Sequence, residues 1–477
     1  MHPLGSVSVP AKMDREAIIS FFQQHGMLIE PEAVDYILKS GENVIDIFEA
    51  IEKKPLVLSL DLLKSLLEKP KREKRVVEIK EKGEEFKILK DVTNRIEAGG
   101  LDGFLNVFRD RYEKIASLIR KRHEMRSVIP IKRINRHEDV AVIGIVRDVR
   151  SVRNGYIAEI EDEEAWFPVF IPKDVDSAIV NDEVIGIIGK RKNDLLIARS
   201  IVRPEIPIMK KKNGALDEYI VFTSDTHIGS KSFLEKKWEK FIKWLNGEIG
   251  NERQKEVAKR VKYVVISGDI IEGVGVYPKQ EYDLAIEDLY EQYEEVAKRL
   301  KSVPEHIKIV LQPGNHDAVR PPLPQPAFEK EIRGLFDGNV IFVGNPCYME
   351  INGIVILSYH GQSIQDFATT LPGLSQNEPT KIMREMLRRR HLAPMYGGIT
   401  SIAPEREDYL VIDAIPDIFV TGHVHTTAVE NYRGVLLVNA SAWQSQTDYQ
   451  KTMNFMPDPA KAVVVNMRNL MASIMTF

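Results

Sequence analysis

The chain has 477 residues, 43% of them hydrophobic, so it can bury substantial cores and is expected to hold about two to four domains. Its 66 basic and 70 acidic residues give a formal charge of −4, which excludes attraction of nucleic acid by the field of the whole protein. The single cysteine, Cys347, excludes an internal disulfide framework and a thiolate metal cluster. Any metal ligands must therefore be His, Asp, Asn or Glu.

The start of the chain and its hydropathy argue against a membrane protein. The opening segment MHPLGSVSVPAKMD has neither a basic head nor an apolar stretch of signal-peptide length. No window approaches the roughly 18 apolar residues of a membrane helix. We therefore expect a soluble, intracellular protein with no membrane partner.

Residues 1–70 are predicted to form a helical module, because apolar residues such as Ile18 and Phe22 recur there at helical spacing. Residues suited to helix ends stand at Gly26, Pro31, Gly41 and Ser59. The module could be a packing domain or a docking site for a partner.

Residues 71–125 are predicted as a charged linker followed by a helix. The segment 71–90 is dense in both charges and poor in large apolar residues, which is typical of a solvated hinge. A basic cluster then extends from Arg120 to Arg136. It could contact phosphates, or it could be an ordinary solvated face.

Residues 126–207 are predicted to form a small closed barrel of the OB type. Five short β-rich runs follow one another between residues 140 and 202, with turn signals at Asn154-Gly155 and Asn193-Asp194. Such barrels commonly bind single strands. The aromatic residues in these runs are too few to indicate an ordered stacking row, so a docking surface is the equal alternative.

Residues 208–477 contain five apolar runs that each end in polar residues able to bind metal. The runs are YIVFTSDTH, YVVISGD, IKIVLQPGNHD, IVILSYHG and DIFVTGHVH. This pattern is typical of buried strands that lead into functional loops, because ligands in layered α/β folds gather at strand ends. Helices predicted over residues 234–244, 284–300 and 380–391 separate the runs. The fold class expected for the chain is therefore mixed α/β (α+β) and multidomain.

The five loops bring together five histidines, three aspartates and an asparagine: His227, His316, His360, His423, His425, Asp225, Asp269, Asp317 and Asn315. Buried charges and imidazoles are costly unless they are paired or bind metal. Nitrogen and oxygen ligands without thiolate suit divalent ions, manganese first, with magnesium, iron or zinc as alternatives. Because seven ligands exceed the needs of one ion and Asp269 can bridge a pair about 4 Å apart, we expect two ions and phosphate-ester hydrolysis.

The order of these residues resembles the motif set of the calcineurin-like metallophosphoesterases, which have a two-sheet catalytic domain. The matching segments are Asp225-x-His227, Gly268-Asp269 with Gly273, Gly314-Asn315-His316-Asp317, His360-Gly361 and Gly422-His423-Val424-His425.

The resemblance implies a role for each residue. One ion would be held by Asp225, His227, Asp269 and His425, and the other by Asp269, Asn315, His360 and His423. His316 would be catalytic, stabilising the transition state or protonating the leaving oxygen, with Asp317 orienting it. Glu272 stands where many relatives carry Asp, outside the implied ligand set.

The sequence around these motifs resembles a narrower family, the small subunits of archaeal D-family DNA polymerases. These subunits are related to the B subunits of eukaryotic replicative polymerases. The similar segments are GNHDAVRPPLPQPAF, LSYHGQSIQDF and MREMLRRRHLAPMYG. The resemblance implies a 3′-to-5′ proofreading exonuclease that acts on single-stranded or mismatched 3′ ends beside a large catalytic subunit. It also implies a cytoplasmic, nucleoid-associated location. Arg388, Arg389 and Arg390 could hold the DNA backbone, or form a solvated helix face or a subunit contact.

Two other functions fit part of the sequence. A catalytically idle structural subunit would share the fold, but it would have no physical need for a complete ligand set. A free-standing phosphatase or repair nuclease would explain the site, but not the barrel or the PQPAF and RRRHLAPMYG segments.

Overall fold

The structure is a computed structural model, and it shows two compact units, residues 1–75 and 76–477. The described residues are 14–25, 27–40, 44, 47–48, 51, 57–60, 62–64, 77–81, 84–93, 99–176, 178–210, 217–452 and 455–477. Among these residues, no helix is long and apolar enough to cross a membrane.

The first unit contains the predicted short helices. Helix α1, Arg15–Gln24, begins where the Asp14 side chain accepts a hydrogen bond from the Ala17 amide, and α2, Pro31–Ser40, begins at the predicted proline. A short parallel pair, β1 (Leu28–Ile29) with β2 (Val57–Leu58), was not predicted. The Ser59 hydroxyl accepts from the Leu62 amide at 3.3 Å, as a helix cap does. The caps predicted at Gly26 and Gly41 lie outside the described residues.

The second unit begins with a β-hairpin where the sequence predicted a solvated hinge. Strands β3 (Val77–Glu81) and β4 (Glu84–Lys90) pair with each other, and β4 also pairs with a strand over residues 347–351. The linker prediction is therefore wrong for these residues. The reason is a period-two pattern within the charged segment, since Phe86 is buried and Ile88 packs beside it, while Lys87 forms an ion pair with Glu350.

The helix predicted after the hinge is α3, Leu101–Arg120, and two short 3-10 turns follow it at His123–Met125 and Ile131–Arg136. The five predicted barrel strands are all present, with the Asn193-Asp194 turn between the last two. They are β5 (Asp139–Val152), β6 (Gly155–Glu161), β7 (Trp166–Pro172), β8 (Val184–Lys192) and β9 (Leu195–Val202). They close into a barrel in the order β5-β6-β7-β9-β8 around an aliphatic core.

The other strands form two sheets. These strands are β10 (Tyr219–Thr223), β11 (Val261–Ser267), β12 (Lys308–Gln312), β13 (Val340–Phe342), β14 (Cys347–Ile351), β15 (Ile354–Ser358), β16 (Ile418–Thr421), β17 (Ala428–Tyr432), β18 (Val435–Asn439), β19 (Lys461–Asn466) and β20 (Ala472–Thr476). The six-stranded sheet has the order β13-β12-β11-β10-β19-β20, and the seven-stranded sheet, which includes the hairpin, has the order β17-β18-β16-β15-β14-β4-β3.

The sheets pack face to face through one apolar core, to which Phe222 contributes from one sheet and Ile356 from the other. Helices cover both outer faces. They are α4 (Glu235–Leu245), α5 (Glu252–Lys259), α6 (Leu289–Leu300), α7 (Lys330–Arg333), α8 (Ile364–Thr370), α9 (Pro379–Arg389) and α10 (Asp448–Thr452), with a 3-10 turn at Gln280–Tyr282. The predicted helix over 284–300 begins later, at Leu289, because the Asp288 carboxylate caps the amides of Tyr290 and Glu291.

A buried ion network joins the barrel to α9. Glu183, at the start of β8, accepts two hydrogen bonds of 3.0 Å from Arg203 and lies 3.0 Å from the Arg389 guanidinium. Arg203 also pairs with Asp176. All three central side chains are at most 4% exposed. Because Glu183 contacts both buried guanidinium groups, its carboxylate links the barrel to α9.

We predict that Glu183→Gln lowers the free energy of unfolding by about 3 kcal/mol, because it removes the carboxylate charge that two buried guanidinium groups share and leaves Arg203 with Asp176 and Arg389 with Glu385. Urea denaturation followed by tryptophan fluorescence measures the change. Glu161→Gln is the matched control, since the Arg147–Glu161 contact is 4.0 Å long and its side chains are 53% and 43% exposed. The control should change stability by less than about 1 kcal/mol. Equal effects of the two variants would contradict a structural role for Glu183.

Candidate metal centre

Five strand ends deliver the predicted ligand residues to one edge of the paired sheets. Two ligand positions follow β10, one each follows β11, β12 and β15, and two follow β16. The sequence therefore predicted this convergence correctly. The parallel pairing of β10 with β11, of β11 with β12 and of β15 with β16 explains it, because parallel neighbours end at the same edge.

The backbone of the site is strained. Five of the seven predicted metal ligands have positive φ: Asp225 (51°), His227 (48°), Asp269 (49°), His423 (69°) and His425 (55°). Each left-handed non-glycine residue costs free energy and persists only where the surroundings determine it. These conformations aim successive side chains at one point, which is a common property of functional sites.

The first ligand cluster contains Asp225, His227 and His425. The Nε2 atoms of the two histidines are 3.1 Å apart, and Asp225 Oδ1 lies 3.3 Å from His425 Nε2. His227 Nδ1 donates to a carboxylate, so Nε2 is the nitrogen that a deprotonated ring would offer to a cation. Nε2 points at a second histidine nitrogen, which is the arrangement that a cation between the rings would use.

The second cluster contains Asp269, His360 and His423. His360 Nε2 lies 3.2 Å from Asp269 Oδ2 and 3.1 Å from Asn315 Oδ1. Asp269 Oδ2 also lies 3.9 Å from His227 Nε2 in the first cluster. Asp269 therefore stands between the two groups, as a bridging ligand must.

Two unsatisfied atoms test whether the site fits a metal. Asp225 Oδ1 and His423 Nδ1 are buried, and neither has a hydrogen-bond partner among the described residues. Buried polar atoms of this kind are costly unless an ion or another group satisfies them. Imidazole, carboxylate and amide donors are the set that divalent transition ions accept. The residues therefore fit divalent ions.

The surroundings shift the pKa values of two ligand histidines in opposite directions. Burial would lower the pKa of His360, but the charges of Asp269 and Asp225 raise it to about 9. Burial, together with repulsion from His360, lowers the pKa of His423 to about 3. His423 therefore offers a neutral imidazole to a metal, whereas His360 would release its proton when a divalent ion binds.

Glycine at two positions is required by close approach. A Cβ at Gly314 would lie 2.2 Å from Asp269 Oδ1, and one at Gly422 would lie 2.0 Å from Ser224 Oγ and 2.6 Å from Asp225 Oδ2. Any larger residue would displace a ligand carboxylate. The two glycines therefore allow the loops to approach as closely as the ligand geometry demands.

His316 lies beside the ligands but is held by a different group from the predicted one. Its Nδ1 contacts the backbone carbonyl of Glu272 at 2.7 Å, and its Nε2 is 4.0 Å from Asp269 Oδ2. The predicted role of Asp317 in orienting His316 is not exerted on the imidazole ring, whose Nδ1 is held by Glu272. The Asp317 carboxylate instead accepts from the amides of Gly314 and Ile270, at 2.8 and 3.2 Å, so it ties together the loops after β11 and β12.

Glu272 is a functional residue that the sequence did not reveal. Its Oε2 lies 2.9 Å from His227 Nδ1 and accepts from Gln444 at 2.8 Å, and its Oε1 accepts from Tyr277 at 2.9 Å. A carboxylate behind a histidine fixes the tautomer and the direction of the ligating nitrogen. In the sequence, the only indication of its role was its position three residues after Asp269, and that position does not tell which histidine it contacts.

The predicted DNA contact is wrong for two of the three arginines at the end of α9. Arg389 is 2% exposed and pairs with Glu183 and Glu385, and Arg390 is 4% exposed and donates to backbone carbonyls of Ile412 and Asp413. Both guanidinium groups are already used inside the protein. Arg388, 39% exposed at its side chain, stays a prediction.

Several of the ligand residues line a cleft of about 410 Å³. Its lining comprises His227, Asp269, Glu272, Val276, Tyr277, Asn315, His316, Pro321, Gln362, Gln365, Ile399, Thr400, Ser401, His423, Val424, His425, Gln444, Thr447, Gln450 and Phe455. The cleft can therefore admit a small group to the ligand atoms.

The paired sheets agree with the fold expected from the resemblance of the sequence to the calcineurin-like metallophosphoesterases, and the residues of the matching motifs lie at the ends of their strands. The solved structure of an archaeal phosphodiesterase is similar to this chain at 14% identity and a TM-score of 0.27, over 54% of this chain and 99% of that chain. The family of the B subunits of DNA polymerases alpha and epsilon matches residues 220–429.

Longer sequence matches identify the family. The DNA polymerase II small subunit of Archaeoglobus fulgidus is 43% identical over 95% of this chain and 96% of its own length. That of Methanothermobacter thermautotrophicus is 38% identical over 94% of this chain and 97% of its own length. The chain belongs to the DNA polymerase II small subunit family.

We predict that Glu272→Ala weakens Mn²⁺ binding by about 10- to 100-fold, because His227 loses the partner that fixes its ring. Isothermal titration calorimetry on the metal-stripped protein measures the affinity. Glu281→Ala, at an exposed position in the 3-10 turn Gln280–Tyr282, is the control and should bind Mn²⁺ as the wild type does. Unchanged affinity in Glu272→Ala would show that another group orients His227.

Proposed function

We propose that the chain is a metal-dependent 3′-to-5′ exonuclease that hydrolyses phosphodiester bonds at single-stranded or mismatched 3′ ends for a DNA polymerase. The observation that carries this proposal is the pair of buried, unsatisfied ligand atoms, Asp225 Oδ1 and His423 Nδ1, within a complete ligand set. An idle site would gain nothing from the cost of keeping them.

Two divalent ions, manganese first, fit the donor atoms. Asp225, His227, Asp269 and His425 would hold one ion, and Asp269, Asn315, His360 and His423 the other. When bound, such a pair supplies an activated water and neutralises charge on a phosphate. The protein's own residues set the ligand directions through Glu272 behind His227 and through the Ser267 carbonyl, 2.8 Å from His360 Nδ1.

His316 would be the catalytic residue outside the ligand set. The Glu272 carbonyl accepts the proton of Nδ1, so Nε2 is the atom that faces the cleft. In the imidazolium form, which the Asp269 carboxylate 4.0 Å from Nε2 favours, Nε2 carries a second proton, and it can donate this proton to the 3′ oxygen that leaves as the P–O bond breaks. Asp317 would act as a positioning residue, because it fixes the loop that carries His316.

The expected result for His316→Ala is a loss of about 10²- to 10⁴-fold in the rate of primer shortening, while metal affinity is retained. A 5′-labelled primer with a mismatched 3′ end, incubated with Mn²⁺, reports the rate, and calorimetry reports the metal. His306→Ala, outside the metal centre, serves as the control. If the wild type and His316→Ala shorten the primer equally, the assignment is wrong. If neither acts while both bind metal, the idle structural subunit is the better description.

The partner that we propose is a large catalytic polymerase subunit, as the relatives' description as small subunits supports. Affinity purification of the tagged chain from native extract should recover a much larger polymerase chain in stoichiometric amount. Size-exclusion chromatography with mass spectrometry measures the complex. Recovery of an active nuclease without that chain would favour a free-standing repair enzyme.

A further inference from the structure

The polar metal centre has exposed aliphatic side chains at its mouth. Val276 is 37% exposed and Ile399 is 60% exposed, and both line the cleft that contains the ligand atoms. They belong to different loops, one after β11 and one after α9. Apolar side chains exposed together beside a reactive centre are typical of a binding surface.

Both loops are fixed from behind by buried polar side chains. Gln280, 1% exposed, accepts from the Val276 amide at 2.9 Å and donates to the Glu272 carbonyl at 2.9 Å. Asp366, 4% exposed, accepts from the Ile399 amide at 2.6 Å and from the Thr400 hydroxyl at 2.6 Å. The two aliphatic residues are therefore held in position before any ligand arrives, which lowers the cost of binding.

The cleft offers little to a DNA backbone away from the ligand atoms. None of the described residues that line it is Lys or Arg. A phosphate in this cleft would therefore be recognised by the metal ions that the histidine and carboxylate cluster binds, and not by a basic side chain. The rest of the lining consists of aliphatic, hydroxyl and amide side chains, including Gln365, together with the aromatic rings of Tyr277 and Phe455. This combination suits the apolar face and polar edge of a nucleobase.

We propose that Val276 and Ile399 hold the base of the terminal nucleotide, so that the site accepts a 3′ nucleotide only after its base has left the duplex. The inference rests on the proposed function and adds the part of the substrate that is recognised. A cleft of about 410 Å³ suits one nucleotide. A mismatched base leaves its stack at least cost, so this recognition selects mispaired ends without reading sequence.

The test is a binding measurement that needs no hydrolysis. Fluorescence anisotropy compares two 5′-labelled single strands with phosphorothioate 3′ linkages in the presence of Mn²⁺, one ending in a normal nucleotide and one in an abasic residue. The wild type should bind the base-bearing end about tenfold more tightly. Val276→Ala/Ile399→Ala should bind both strands with equal affinity.

The matched control is Leu105→Ala/Val152→Ala, which removes aliphatic side chains that are 59% and 38% exposed outside the cleft. It should keep the tenfold preference. Equal binding of both strands by the wild type, or a preference that survives in the cleft variant, overturns the base-binding role. Failure of the exonuclease proposal is a separate result, because it appears in the primer-shortening assay as hydrolysis that is absent or does not depend on His316, whatever the preference for the base.

Discussion

The crowding of imidazole and carboxylate groups at five strand ends is the constraint on which the domain of two paired sheets depends. Ring nitrogens of His227 and His425 face each other at 3.1 Å, and most of the ligand residues have left-handed backbone conformations. Neither feature is favourable by itself. Both persist because Asp317 ties neighbouring loops together and because the packed sheets hold all five strand ends at one edge. The stability of the sheets is thus used to hold charged groups that would otherwise separate.

Local sequence patterns predicted most of this architecture. An apolar run followed at once by polar residues marks both a buried strand and the loop after it, so the five strand ends could be recognised. The barrel strands could be recognised from short β-rich runs separated by turn signals. The hairpin of β3 and β4 was missed because its charge density hides the alternation of Phe86 and Ile88, and because its partner β14 is distant in sequence. Pairing of that kind depends on tertiary contacts.

The identity of the candidate ligands was easier to predict than the direction of the supporting groups. Asp317 follows His316 directly, yet its carboxylate turns to backbone amides, and the carbonyl of Glu272 takes the histidine proton instead. The arginines of α9 were misread for a related reason. A run of basic residues is typical of a surface, and only the fold brings Glu183 of the barrel against Arg389.

A second group of buried contacts connects helix α3 to the cleft. His391 Nε2 lies 2.8 Å from Asp408 Oδ2, which closes the loop that carries Ile399 to the mouth of the cleft. Arg111 of α3 donates to the same carboxylate oxygen at 2.7 Å and to the Pro394 carbonyl at 2.6 Å. Arg111 of α3 therefore contacts both ends of this loop, so α3 and the wall of the cleft are joined through groups that are buried and paired.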